Sequence, residues 1–115
     1  MKITSKKVDD IMVIEINGRI VGDESLHMRR EIAGWIAEIP EDQKPKVVLK
    51  LNGVSTMDSA GLGVLVASYT SIQKREGRLV LAGLGRGLQN LIAITKLARV
   101  FEVYESEEDA IKSFQ

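Results

Sequence analysis

The chain has 115 residues, the length of one domain with a single hydrophobic core. Lysine plus arginine and aspartate plus glutamate number 16 each, so the composition does not indicate a nucleic-acid or anionic-membrane partner. The absence of cysteine excludes disulfides, thiolate chemistry and cysteine-based metal sites. No apolar run approaches the roughly 20 residues of a membrane span, and the N-terminus lacks the apolar core of a signal peptide, so a cytoplasmic protein is expected.

The first third of the sequence predicts two strands and a helix. Residues 2–7 and 11–17 are typical of a strand pair, and a loop over 18–22 follows. Asp23 is the candidate N-cap of the first helix, and Pro40 ends that helix. One apolar stripe of the helix is formed by Met28, Ile32, Trp35, Ile36 and Ile39.

The rest of the sequence alternates strands with helices. Buried-type strands are predicted at 47–51, 78–82 and 100–103. Helices are predicted after Ser59, around residues 88–95, and after Ser106, whose spacing to Asp109 resembles a capping box. This order predicts an α/β domain with a mixed central sheet of four to five strands, layered with four to five helices.

The segment from Met57 to Gly63 follows a strand and a short polar turn, and it opens the second long helix. Glycine at 61 and 63 costs about 1 kcal/mol each relative to alanine in a helix interior. With Ser59 and Ala60, these glycines leave the backbone of the helix end open to a partner. A serine at a helix start most often only satisfies a free backbone N–H. The run of small residues instead favours a docking surface, on which the positive helix end suits a phosphate on Ser59.

The Met-Asp-Ser-Ala-Gly-Leu-Gly motif at 57–63 resembles the phosphorylation-site region of the anti-sigma factor antagonists in the STAS domain family. The resemblance extends over nearly the whole chain and implies a single STAS domain at 1–115. In that family the serine after the aspartate is phosphorylated by a partner that is both anti-sigma factor and kinase and that supplies the ATP site. The matching residue is Ser59. The unphosphorylated protein is therefore expected to dock on this partner and release the sigma factor, and the phosphorylated protein to let go.

The resemblance implies a partner-binding set around the same helix start. This set comprises Asp58, Ser59, Ala60, Gly61, Gly63, Thr56 and Asp23. The family commonly reads Gly-x-Leu-Asp after the second strand, whereas this chain reads Gly18-Arg19-Ile20-Val21. Val21 thus stands where the acid would be, and Asp23 compensates only if the loop is rearranged. This departure favours the alternative function, a constitutive STAS accessory subunit of a stress-sensing or transporter complex without a phospho-switch.

Other candidate sites are weaker. Thr56 and Ser55 offer further hydroxyls, but such residues usually bond their own backbone in turns. The glycine-rich stretch 83–87 fails the phosphate-loop patterns, and His27 has no metal-ligand or triad spacing. The sequence therefore predicts no catalytic residue, no metal and no cofactor, and it leaves a weak homodimer open.

Overall fold

The protein is built on one five-stranded sheet with helices on both faces, and the computed structural model describes residues 1–115. The strands are β1 (Lys2–Val8), β2 (Ile11–Ile20), β3 (Lys46–Met57), β4 (Arg78–Ala82) and β5 (Glu102–Tyr104). The helices are α1 (Asp23–Glu38), α2 (Ser59–Lys74), α3 (Arg86–Ile94) and α4 (Glu107–Lys112), with a 3₁₀ turn at Leu97–Arg99. No helix has both the length and the apolar character needed to cross a membrane.

The strands lie in the sheet in their order along the chain, β1-β2-β3-β4-β5. β1 pairs with β2 in antiparallel fashion because only a short turn joins them. The other three pairs are parallel, since a helix in each connection brings the chain back to the end of the sheet where the previous strand began. The predicted mixed sheet is confirmed.

Alternating side chains of the central strands fill two cores. Ile14, Leu49 and Leu81 point to the face covered by α1, α2 and α3, where they join a cluster of 22 buried residues. Val48 and Val80 point to the other face, where Ala110 of α4 closes a smaller cluster of six. Both faces are therefore covered, as the lack of polar alternation in these strands predicts.

Arg75 fastens the end of α1 to the end of α2. Its guanidinium donates to the carbonyl oxygens of Ile36 at 2.9 Å, Ile39 at 3.0 Å and Pro40 at 2.7 Å. These carbonyls lie at and just beyond the end of α1, and those of Ile36 and Pro40 also accept from the amides of Ile39 and Gln43. The charged side chain thus acts as a cap supplied from a neighbouring helix.

Several predicted boundaries are wrong. β2 continues to Ile20, so most of the expected loop at 18–22 is strand, and β3 continues to Met57 in place of the polar turn. The pairing of Ile20 with Met57 explains both extensions, because the two strands keep hydrogen bonding past their apolar stretches. α3 begins at Arg86, two residues before the helix predicted around 88–95.

Two predicted helix starts have different outcomes. Asp23 is not the N-cap of α1: the N-cap is Gly22, and Asp23 is the first helical residue with no side-chain cap bond. Gly22 has φ 59° and ψ −129°, a conformation that glycine adopts without strain. The cap at Ser106 is confirmed, since its hydroxyl accepts from the amide of Asp109 at 3.0 Å.

Candidate functional site

Ser59 is the first residue of α2 and is exposed. The cap of α2 is the preceding residue, Asp58, whose Oδ1 accepts from the amide of Gly61 at 3.0 Å. The serine hydroxyl is therefore not used as the helix cap, and none of the side-chain hydrogen bonds in the structure involves it. This hydroxyl is available to an incoming group.

The second oxygen of Asp58 holds the loop before α1. Oδ2 accepts from the amide of Gly22 at 2.9 Å, and the amide of Asp58 donates to the carbonyl of Ile20 at 3.1 Å. The amide of Gly22, and after it the amide of Gly61, lowers the pKa of Asp58 below its ordinary value of 3.8. Asp58 is therefore an ionised bridge between two segments, and each of its oxygens already accepts a bond.

The exposed part of the small-residue surface is narrower than the motif suggests. Ser59, Ala60 and Gly63 are exposed, but Gly61 is buried. A Cβ added at Gly61 would lie 2.6 Å from Cγ of Met57 and 3.0 Å from Cγ2 of Ile20. Glycine is thus required at 61 for α2 to lie close to β2 and β3. At Gly63 an added Cβ meets nothing within 4 Å, so this position is open.

The remaining predicted contact residues lie around this helix start. Thr56 is exposed near the end of β3 and pairs in register with Arg19 of β2. Asp23 is exposed at the start of α1, and its side chain makes no hydrogen bond. Val21 is half-buried, and its carbonyl accepts from Glu24 at 3.2 Å. The carboxylate that bonds this loop is that of Asp58, not that of Asp23.

Gly22 is the site residue that sequence reasoning missed. Its amide completes the hydrogen bonding of Asp58, and its positive φ turns the chain from β2 into α1. The available signal was a glycine directly before an acidic helix start, which also fits a cap. His27 lies outside this site, exposed on α1, with Nε2 3.9 Å from Oε1 of Glu31.

Comparison with known proteins gives a family and close relatives. The family model for the STAS domain matches residues 2–110. The anti-sigma-B factor antagonist of Listeria monocytogenes is 42% identical over 66 residues, which are 56% of this chain and 58% of that protein. The match thus spans less than two thirds of the length of that relative. Its name describes a binding regulator rather than an enzyme.

Solved structures show the same fold. An anti-sigma factor antagonist from Mycobacterium paratuberculosis superimposes with a TM-score of 0.85 at 23% identity, covering 97% of this chain and 92% of that one. The phosphorylated form of the Bacillus cell fate determinant SpoIIAA superimposes with a TM-score of 0.76 at 18% identity, covering 99% and 100%. At these identities the likeness establishes the architecture alone.

Proposed function

The chain belongs to the STAS domain family, and from this premise we propose that it is an anti-sigma factor antagonist switched by phosphorylation of Ser59. The proposal rests on the different roles of two adjacent residues at the start of α2. Asp58 caps the helix, while the hydroxyl of Ser59 is exposed and unbonded. The names of the relatives support the same function. The partner is then an anti-sigma factor with serine kinase activity, and the protein works in the cytoplasm.

In the phosphorylation step, Oγ of Ser59 forms a bond to the γ-phosphorus of ATP held by the kinase. The bond from that phosphorus to the bridging oxygen of ADP breaks, and ADP leaves with the electron pair. The proton of the hydroxyl needs a base. Asp58 is unsuited to this role because both of its oxygens accept backbone hydrogen bonds and its pKa is lowered. The base therefore comes from the kinase.

The switch follows from charge. A phosphate adds about −1.5 to −2 charges at neutral pH. It would stand beside the ionised Asp58, which already occupies the amide of Gly61 at the helix end. The stabilisation that a helix N-terminus offers a phosphate, typically 0.3–1 kcal/mol, is thus partly used. An interface shaped for a hydroxyl would lose a few kcal/mol on burying the phosphate, on the order of a hundredfold in affinity.

The test is incubation of the purified protein with ATP and a candidate anti-sigma kinase, followed by intact mass and peptide mapping. One added phosphate, about 80 Da, is expected on Ser59. Ser59→Ala should abolish the addition, and Thr56→Ala should retain it, since Thr56 is the matched exposed hydroxyl. Phosphate on Thr56 with Ser59 unmodified would refute this site. Tight binding of the kinase without any phosphate transfer would instead support the constitutive accessory subunit.

A further inference from the structure

One corner of the protein exposes aliphatic side chains that no other part of the chain covers. Ile94 at the end of α3 is 79% exposed, Val100 after the 3₁₀ turn is 38% exposed, and Val103 of β5 is 43% exposed. Both α3 and β5 contact the 3₁₀ turn, so the elements that carry these three residues adjoin one another. Clustered exposure of this kind marks interaction surfaces, whereas single exposed aliphatic residues do not.

The same corner carries positive charge. Lys96 and Arg99 are exposed between the aliphatic residues, and neither takes part in an ion pair or a side-chain hydrogen bond. The stretch 77–101 contains four cationic residues and no acid, although the whole chain is neutral. The next acid along the chain, Glu102, is already bound by Arg78 at 2.7 Å. We call Ile94, Lys96, Arg99, Val100 and Val103 the α3–β5 surface.

The backbone at Lys96 places this side chain just beyond the end of α3. Lys96 lies in the left-handed region with φ 62°, directly after the C-cap of α3. Glycine is the usual residue at such a helix end because it adopts this conformation without strain. A lysine here accepts backbone strain and places a cation on the exposed corner, near the negative end of α3.

We propose that the α3–β5 surface binds an acidic, aliphatic segment of a partner protein. The unpaired cations favour a partner segment with negative charge, and the aliphatic side chains favour a segment that also carries apolar residues. β5 is an edge strand, so its outward backbone groups can pair with an extended segment. An anionic bilayer is a less suitable partner, because lipid-binding surfaces carry larger basic clusters than the two cations present here.

This surface is separate from the Ser59 site. α2 and α3 both begin at the carboxyl ends of the parallel strands β3 and β4. α3 then runs back across the sheet for nine residues, roughly 13 Å, before it reaches Ile94. The surface therefore lies toward the amino ends of these strands, away from Ser59. Binding there does not depend on phosphorylation.

The test is NMR titration of the full ¹⁵N-labelled chain with two synthetic peptides, one of alternating glutamate and valine and one of alternating lysine and valine. The acidic peptide should shift amides at 94–103 and bind at least 10-fold more tightly than the basic one. Arg99→Glu and Ile94→Ser should each weaken binding at least 5-fold. Lys44→Glu, a charge reversal at an exposed lysine elsewhere, should leave binding unchanged.

Equal binding of both peptides, or shifts centred on 58–63, would overturn the proposal. Binding to vesicles of phosphatidylserine and phosphatidylcholine that Arg99→Glu abolishes, without binding of the acidic peptide, would assign the surface to a bilayer and also overturn it. The substituted residues are exposed, so thermal melting should match that of the wild type. A variant that melts early is replaced by Val103→Ser, with the same expected loss.

Discussion

The carboxylate of Asp58 accepts a hydrogen bond from the amide of Gly22, 36 residues earlier in the chain, at 2.9 Å. The same carboxylate caps α2 through Gly61 at 3.0 Å. The aspartate of the motif therefore fixes the start of α1 relative to the start of α2. The same two hydrogen bonds position the backbone next to Ser59. A phosphate on Ser59 adds negative charge directly beside this bridge.

Asp58→Asn tests the bridge. An amide side chain has one acceptor oxygen, so it can satisfy Gly22 or Gly61 but not both, and its NH₂ group faces a second N–H donor. We expect a lower thermal midpoint than for wild type, measured by circular dichroism. Asp23→Asn is the matched control, because the exposed Asp23 caps nothing and loses only its charge in the first turn of α1, so its midpoint should fall much less. Equal midpoints for both variants would contradict the structural role of Asp58.

The pH dependence of stability carries the same information. The pKa of Asp58 is lowered in the folded protein by the amides of Gly22 and Gly61. A carboxyl group with a lowered folded pKa stabilises above its unfolded pKa, about 3.9, and loses that contribution as pH falls through the folded value. The stability gap between wild type and Asp58→Asn should therefore narrow as urea melts are taken from about pH 5 to pH 2. A gap that stays constant over this range would show that ionisation of Asp58 does not matter.

Asp10 and Glu15 also have lowered pKa values and contribute to the same loss of stability in acid. A hydrogen bond from Lys46 lowers the pKa of Asp10, and a hydrogen bond from Asn17 together with the charge of Lys50 lowers the pKa of Glu15. The Asp58→Asn variant should consequently still lose stability in acid, with a shallower slope than wild type.

Gly22→Ala tests the turn into α1. A Cβ at Gly22 meets nothing within 4 Å, so steric crowding is excluded and only the backbone conformation at φ 59° opposes alanine. We expect a loss of about 1–3 kcal/mol in unfolding free energy, measured by urea denaturation. Gly63→Ala is the control at an equally open glycine inside α2, where alanine should stabilise by about 0.5–1 kcal/mol. A neutral Gly22→Ala would show that the turn relaxes.

The docking surface of α2 is tested by separating charge from bulk. Ser59→Ala removes one hydroxyl and should keep most affinity for the partner, since a hydrogen bond contributes about 0.5–1.5 kcal/mol. Ser59→Asp should weaken binding at least ~10-fold, about 1.4 kcal/mol, by adding charge beside Asp58. Gly63→Leu should do the same by bulk alone. Calorimetry that finds wild-type affinity for both Ser59→Asp and Gly63→Leu would place the interface elsewhere.

Arg75→Lys tests the cap supplied to α1. A lysine can donate to fewer of the carbonyls at Ile36, Ile39 and Pro40 and lacks the planar fork of arginine. We expect a loss of about 1–2 kcal/mol in urea denaturation, because bonds from a charged donor are lost. Lys74→Arg, one residue earlier and exposed, should change stability by less than about 0.5 kcal/mol. A similar effect of both changes would show that α1 ends without this cap.

Local patterns in the sequence predict the architecture well, and long-range contacts explain what they miss. Apolar stretches locate β2 to β5 and both long helices, because burial sets those patterns. β1 has no buried residue and is predicted only as the partner of β2. The start of α1 is misplaced by one residue because Asp23 fits the usual cap chemistry, while the bond that decides the turn comes from Asp58 in another element. Likewise, nothing local distinguishes the buried Gly61 from the open Gly63; only the packing against Ile20 and Met57 does.

The two edges of the sheet present different obstacles to association. β1, at one edge, carries Lys2, Lys6 and Lys7, all exposed, and β1 extends over seven residues. A second copy that approached this edge strand to strand would bring lysine rows together, a common protection against aggregation. β5, at the other edge, has three residues and no lysine, and its one charged residue, Glu102, is paired with Arg78, so β5 is protected mainly by its shortness. Uncontrolled sheet growth in concentrated solution should therefore begin at β5, and a lysine introduced by Val103→Lys should suppress it.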